Sequence, residues 1–178
     1  DDGSKYAKIA QNHDFMTSRV TRAMIHAHTE HGVHIAAENP RGGMERQWFM
    51  NAPAWKAITE KQVVDYCAFR HPYKKPENIW VSEFGWSPTG ITGNGRCGDK
   101  CESGSVRTDT GRFRHNKVLS GATGTGPTGS GIEQQKNAVP PMLLDEILSA
   151  VKLQCTDSKR TWVIDLFAGC GSLRPACS

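Results

Sequence analysis

The chain has 178 residues, 37% hydrophobic and 22% charged, with a mean hydropathy of −0.53. This is the length of one domain with a core of its own, and no apolar run of about 18 residues is present to span a bilayer, so no membrane partner is expected. A net charge of +4 and a pI near 8.8 suit a polyanionic partner without requiring one.

Basic residues gather as Arg70, His71, Lys74 and Lys75 and again as Arg107, Arg112, Arg114, His115 and Lys117. Either set would track phosphates or form a solvated face. Asp1 to Ala10 lacks the charged-then-apolar layout of a secretory signal, and six cysteines at uneven spacing suggest no disulfide framework. Thiols in the cell interior are the expectation.

In chain order, Met16, Val20, Ala23, Met24 and Ala27 recur at helical spacing and predict a helix over 15–29, stopped by Gly32. Val33 to Ala37 reads as a short buried strand ending on Glu38, before the loop that Pro40, Gly42 and Gly43 impose. The carboxyl end of a strand is where ligands collect in open α/β sheets, which makes Glu38 a site candidate. Val63 to Cys67 and Asn78 to Ser82 read as strands of a hairpin around a basic, proline-containing turn. Residues 83–131 are rich in Gly, Ser and Thr, and 121–131 approach low complexity. Pro140 and Pro141 open a helix whose stripe is Leu144, Ile147, Leu148 and Val151. Trp162 to Leu166 then reads as a central strand running into the turn Phe167-Ala168-Gly169-Cys170-Gly171-Ser172.

That last segment is the most specific in the chain. An apolar strand ending in an acid, then Gly-x-Gly, lets the backbone approach a nucleotide-like ligand. It lacks the third glycine of a dinucleotide fingerprint. The string Asp165-Leu166-Phe167-Ala168-Gly169-Cys170-Gly171 resembles the cofactor turn of DNA cytosine-5 methyltransferases, with Ser172 in place of a glycine. Glu38-Asn39-Pro40 is similar to that family's Glu-Asn motif, and Asn137-Ala138-Val139-Pro140-Pro141 to its late Asn-Ala-Val-x-Pro motif, with Lys136 where glycine is usual. Asp65 to Arg70 and Lys74 to Trp80 resemble a variant of its Gln-x-Arg-x-Arg strand.

The resemblance implies an incomplete α/β, Rossmann-like S-adenosylmethionine-dependent methyltransferase fold over 1–82 and 132–178, with 83–131 as an insertion for DNA recognition. It implies that Asp165, Phe167, Gly169, Gly171, Asn137 and Val139 line an S-adenosylmethionine pocket. Glu38 would bind the ring nitrogen and amine of a flipped cytosine, because a protonated carboxyl can donate to one and accept from the other. Arg70, Lys75 and Asn39 would contact the nucleic acid. The family's Pro-Cys nucleophile has no counterpart in the sequence, and its motifs stand in an altered order, as in a permuted or tandem-unit enzyme. The chain alone is therefore expected to be inactive, with DNA and the remaining portion of the enzyme as partners and an intracellular, DNA-associated location, nuclear in a eukaryote.

Independently of any family, Cys97-x-x-x-Cys101 with His115, and Cys67 as a fourth candidate, suggest a zinc site in a segment poor in apolar anchors. This leaves a rival from another class, a non-catalytic zinc-stabilised nucleic-acid-binding module.

Overall fold

The computed structural model describes residues 2–40, 47–99, 101–106, 108–111, 113–115, 138–154, 162–163 and 174–175. Helix α1 runs Asp2–His31, about 45 Å at 1.5 Å per residue. It covers the expected 15–29 and extends it toward the amino terminus. Its inward face is Thr17, Thr21 and Met24, whereas Met16, expected inside, is 59% exposed and Ala23 is exposed as well. Threonine is buried here because the Thr21 hydroxyl donates to the Thr17 carbonyl at 2.9 Å, which a count of apolar residues does not register. Gly32, at φ 62°, ends the helix as expected, in a left-handed conformation that costs glycine little.

Strand β1 spans Ala36–Pro40, not Val33–Ala37. Ile35 lies just outside the ladder, bonded to Ser82 through its N–H (2.8 Å) and its carbonyl (2.9 Å). Glu38 consequently sits in mid-strand opposite Ile79, rather than beyond the strand's end. After a 3-10 turn, Phe49–Asn51, and helix α2, Pro53–Ile58, come β2, Glu60–Asp65, and β3, Pro76–Val81. The expected hairpin is β2–β3. Cys67, expected on a strand, falls in the 3-10 turn Tyr66–Phe69 that follows β2, and Arg70 closes that turn at φ 64°.

The sheet order is β1-β3-β2, and both outer strands pair antiparallel with β3, so β1 and β2 run in the same direction. One face packs Ala37 and Trp80 against Met24, Ile35, Phe49, Met50 and Trp55. The other packs Val64, Tyr66, Ile79 and Val81 against Phe84, Trp86 and helix α3, Pro141–Gln154. The buried residues of α3 are Leu143, Ile147 and Val151, each worth roughly 1.5–3 kcal/mol of apolar burial. Leu144 and Leu148, expected in that stripe, are half-buried at its flank.

Residues 83–98 belong to the stretch read as an insertion, yet Phe84 and Trp86 enter the core. Glu146 of α3 accepts from Trp86 Nε1, Thr89 N, Thr89 Oγ1 and Gly90 N at 2.8–3.2 Å, pinning this loop to the helix. Two-stranded ribbons complete the described structure: β4, Gly104–Val106, with β5, Phe113–His115, and β6, Trp162–Val163, with β7, Arg174–Pro175. Every strand pairing among the described residues is antiparallel, and they form no Rossmann-like sheet. The described part of the strand expected at Trp162 to Leu166 pairs with β7 and not with the sheet that carries Glu38. No helix among the described residues is long and apolar enough to cross a membrane.

Candidate metal centre and carboxyl pair

The turn Tyr66–Phe69 is buried throughout, and two groups of polar side chains meet on either side of it. The first group is Cys67, Cys97, Cys101 and His115, whose ligand atoms all lie within 4.8 Å of one another. His115 Nε2 is 2.9 Å from the Cys97 sulfur and 3.8 Å from the Cys101 sulfur. A tetrahedral zinc ion with bonds of about 2.0–2.3 Å would hold such atoms roughly 3.5–3.8 Å apart, so small adjustments would close the group around one. The three expected ligands and the fourth candidate, Cys67, are all present.

Local structure explains how residues so far apart converge. The Asp65 carboxylate accepts from the Cys97 backbone N–H and from Arg96 Nε, both at 3.0 Å, which fixes the loop at the first thiol. The Asp65 N–H donates to the Gly95 carbonyl at 2.9 Å, and the Ile91 N–H donates to the Ala68 carbonyl at 2.8 Å. Ribbon β4–β5 then returns the chain so that His115 faces the thiols.

Burial, then the neighbouring Cys101 and Cys97, push the Cys67 thiol well above its ordinary range, and burial raises Cys97 too. Burial and the Lys74 charge lower the His115 imidazole. Burial thus favours the neutral thiol at Cys67 and Cys97 and the neutral ring at His115, and a divalent cation would displace thiol protons on binding. His115 Nδ1 is buried without a hydrogen-bond partner among the described residues, which leaves Nε2 as its one engaged nitrogen.

The second group is built on the sheet. Glu38 and Glu77 share the α3 face as diagonal neighbours, since Glu38 stands opposite Ile79 and Glu77 two residues before it. The Tyr66 hydroxyl donates to Glu38 Oε1 at 2.8 Å. Glu77 is fully buried, with Lys75 Nζ 2.9 Å from its Oε1, although neither oxygen has an aligned hydrogen-bond donor. Burial, then the Glu38 charge, push the Glu77 carboxyl up to about 8 against the opposing pull of Lys75. A pair of carboxyls that retains a proton near neutral pH can donate and accept at once.

The other expected site residues distribute unevenly. Lys75, expected on a phosphate, has 15% of its side chain exposed and spends its charge on Glu77 and, at 5.0 Å, on the Tyr66 ring. Asn39, expected beside Glu38 on the nucleic acid, turns to the opposite face of the sheet and is 1% exposed. Strand alternation requires this, because adjacent residues point to opposite faces. Arg70 is open to solvent, with Glu102 at 3.8 Å. Val139 is half-buried and packs against the same core cluster as Tyr66. Asn137, Asp165, Phe167, Gly169 and Gly171 lie outside the described residues.

Tyr66 and Glu77 were not among the residues singled out from sequence. The available signal was an acid, followed by Asn78, at the start of a strand that ends in the apolar run Ile79-Trp80-Val81. No family model matches the chain, and comparison with curated proteins and with solved structures returned no match.

Proposed function

We propose that this chain carries the target-base portion of a DNA cytosine-5 methyltransferase, with a structural zinc ion held by Cys67, Cys97, Cys101 and His115. The observation that supports the base-binding role is the carboxyl pair beside Tyr66, a half-buried Glu38 next to a fully buried Glu77. Cytosine offers a ring nitrogen that accepts and an amine that donates; the proton retained by the Glu38–Glu77 pair, carried on Glu38, would donate to the ring nitrogen while the second Glu38 oxygen accepts from the amine, and the Tyr66 hydroxyl orients the carboxyl.

Of the residues assigned to S-adenosylmethionine by resemblance, only Val139 is described, and it supplies no polar group. No step is therefore derived through the cofactor. Four ligands from the protein would leave the zinc no open position, as befits a structural rather than a catalytic ion.

Binding to duplexes that carry an unpaired cytosine or thymine opposite an abasic site tests the base-binding role. The expected preference for cytosine is about tenfold, near 1.4 kcal/mol. Glu38→Ala should erase it, whereas Glu38→Gln should keep it, since the amide presents the same donor and acceptor. Equal affinity of the unmodified chain for the two bases contradicts the assignment. The Cys3His geometry also favours a second reading, a zinc-stapled binding module without a base pocket, in which that equality is the expected result and S-adenosylhomocysteine leaves the melting temperature unchanged.

A further inference from the structure

The two polar groups share a single structural element. Tyr66 and Cys67 are consecutive in the buried turn, one aimed at Glu38 and the other at the sulfur cluster. On the hairpin side, the Tyr66 N–H donates to the Lys75 carbonyl at 2.9 Å, and Lys75 Nζ stands over the Tyr66 ring. On the other side, the turn is tied to the 90–101 loop by the Asp65, Ala68 and Cys67 backbone, the last approached by the Cys101 thiol at 3.8 Å.

Polar contacts rather than packing hold that loop, chiefly the Glu146 and Asp65 hydrogen bonds. Among the described residues from Ser87 to His115, Cys101 is the one buried hydrophobic side chain. Thiols are weak hydrogen-bond donors, so a metal-free cluster adds little to the hydrogen bonds that hold loop and turn together. Four metal bonds, in contrast, would lock the Cys67 side chain and the backbone on both sides of it.

We propose that the metal centre positions Tyr66 on Glu38, so that the hydroxyl contact at the carboxyl pair depends on the ion bound beside it. Tyr66 is then a positioning residue and zinc is its anchor. Any ligand of the pair would bind with an affinity that follows metal occupancy, because sub-ångström shifts of a positioning group are felt at a polar site. Removal or oxidation of the thiol ligands would loosen the pair without touching it.

This inference rests on zinc binding as proposed above, and its test separates the two. Metal analysis of the purified chain and titration with zinc come first; no uptake removes the metal assignment and this proposal with it. Given uptake, the melting temperatures of the unmodified chain and of Tyr66→Phe are compared in zinc-loaded and chelator-stripped protein. Loss of the hydroxyl should matter only in the loaded form, lowering its melting temperature by about 2–4 °C and the stripped form's by nothing measurable. An equal drop in both forms overturns the coupling. If stripping unfolds the chain, Cys67→Ala with zinc kept on the other three ligands takes its place. The Tyr66→Phe drop should vanish in that background, and its persistence overturns the proposal. No DNA enters either readout, so the result is independent of whether the pair holds cytosine.

Discussion

The carboxyl pair and the sulfur cluster lie on either side of one four-residue turn, yet they are built by different means. Glu38 and Glu77 are placed by the register of neighbouring strands, on the face of the sheet that packs against α3, where Glu77 is buried and Glu38 half-buried. Cys97, Cys101 and His115 are placed by loops and a short ribbon with hardly any apolar content. Strand pairing can hold a charged group in a core at the expense of its ionisation. A loop-built site holds its groups near one another by hydrogen bonds such as those of Asp65, and the proposed ion would add metal bonds to them.

The largest expected effect falls on the loop-built side. Gly90, at φ 53°, donates to Glu146, and a methyl group there would collide with the Ala68 carbonyl oxygen, the acceptor that joins loop and turn. Gly90→Ala should cost about 3 kcal/mol, or roughly 6–12 °C in melting temperature at this size. It should also weaken zinc uptake. Calorimetry that finds the variant as stable as the parent would show that this junction does not hold the loop.

A smaller effect is expected at the carboxyl pair. The folded carboxyl of Glu77 titrates near 8 and its ordinary value is 4.5, so the folded chain keeps a proton that the unfolded chain releases. The stability contributed by this group is complete below about pH 4.5 and is lost as pH rises through about 8. Glu77→Gln cannot ionise, and relative to the parent it should gain more than about 1 kcal/mol between pH 5 and pH 8.5. Both proteins must carry the same metal load, since zinc binding itself strengthens with pH. Parallel stability curves across that range would show that Glu77 is already ionised in the fold.

The same contrast decides what the sequence revealed. The α1 helix, its stop at Gly32, the β2–β3 hairpin and the helix after Pro140 were legible because periodicity and glycine or proline signals are local. Cys97, Cys101 and His115 were legible as a group because few other residues there had an evident role. Cys67 was harder to place, because its membership depends on a turn that the apolar run Val63 to Cys67 disguised as strand. Glu77 and Tyr66 escaped notice because their meeting with Glu38 is a matter of register between strands remote in the chain, which pattern alone does not supply. The shift of β1 by three residues had a similar origin: Ile35 bonds to Ser82 outside the ladder, so the apolar run begins before the strand does.

X-ray absorption at the zinc edge on protein purified without chelator tests the metal centre most directly. One zinc per chain with three sulfur neighbours near 2.3 Å and one nitrogen near 2.0 Å is the predicted result. A chain free of zinc, or a zinc ion surrounded by light atoms alone, would contradict the centre and with it the proposed support for the Glu38–Glu77 pair.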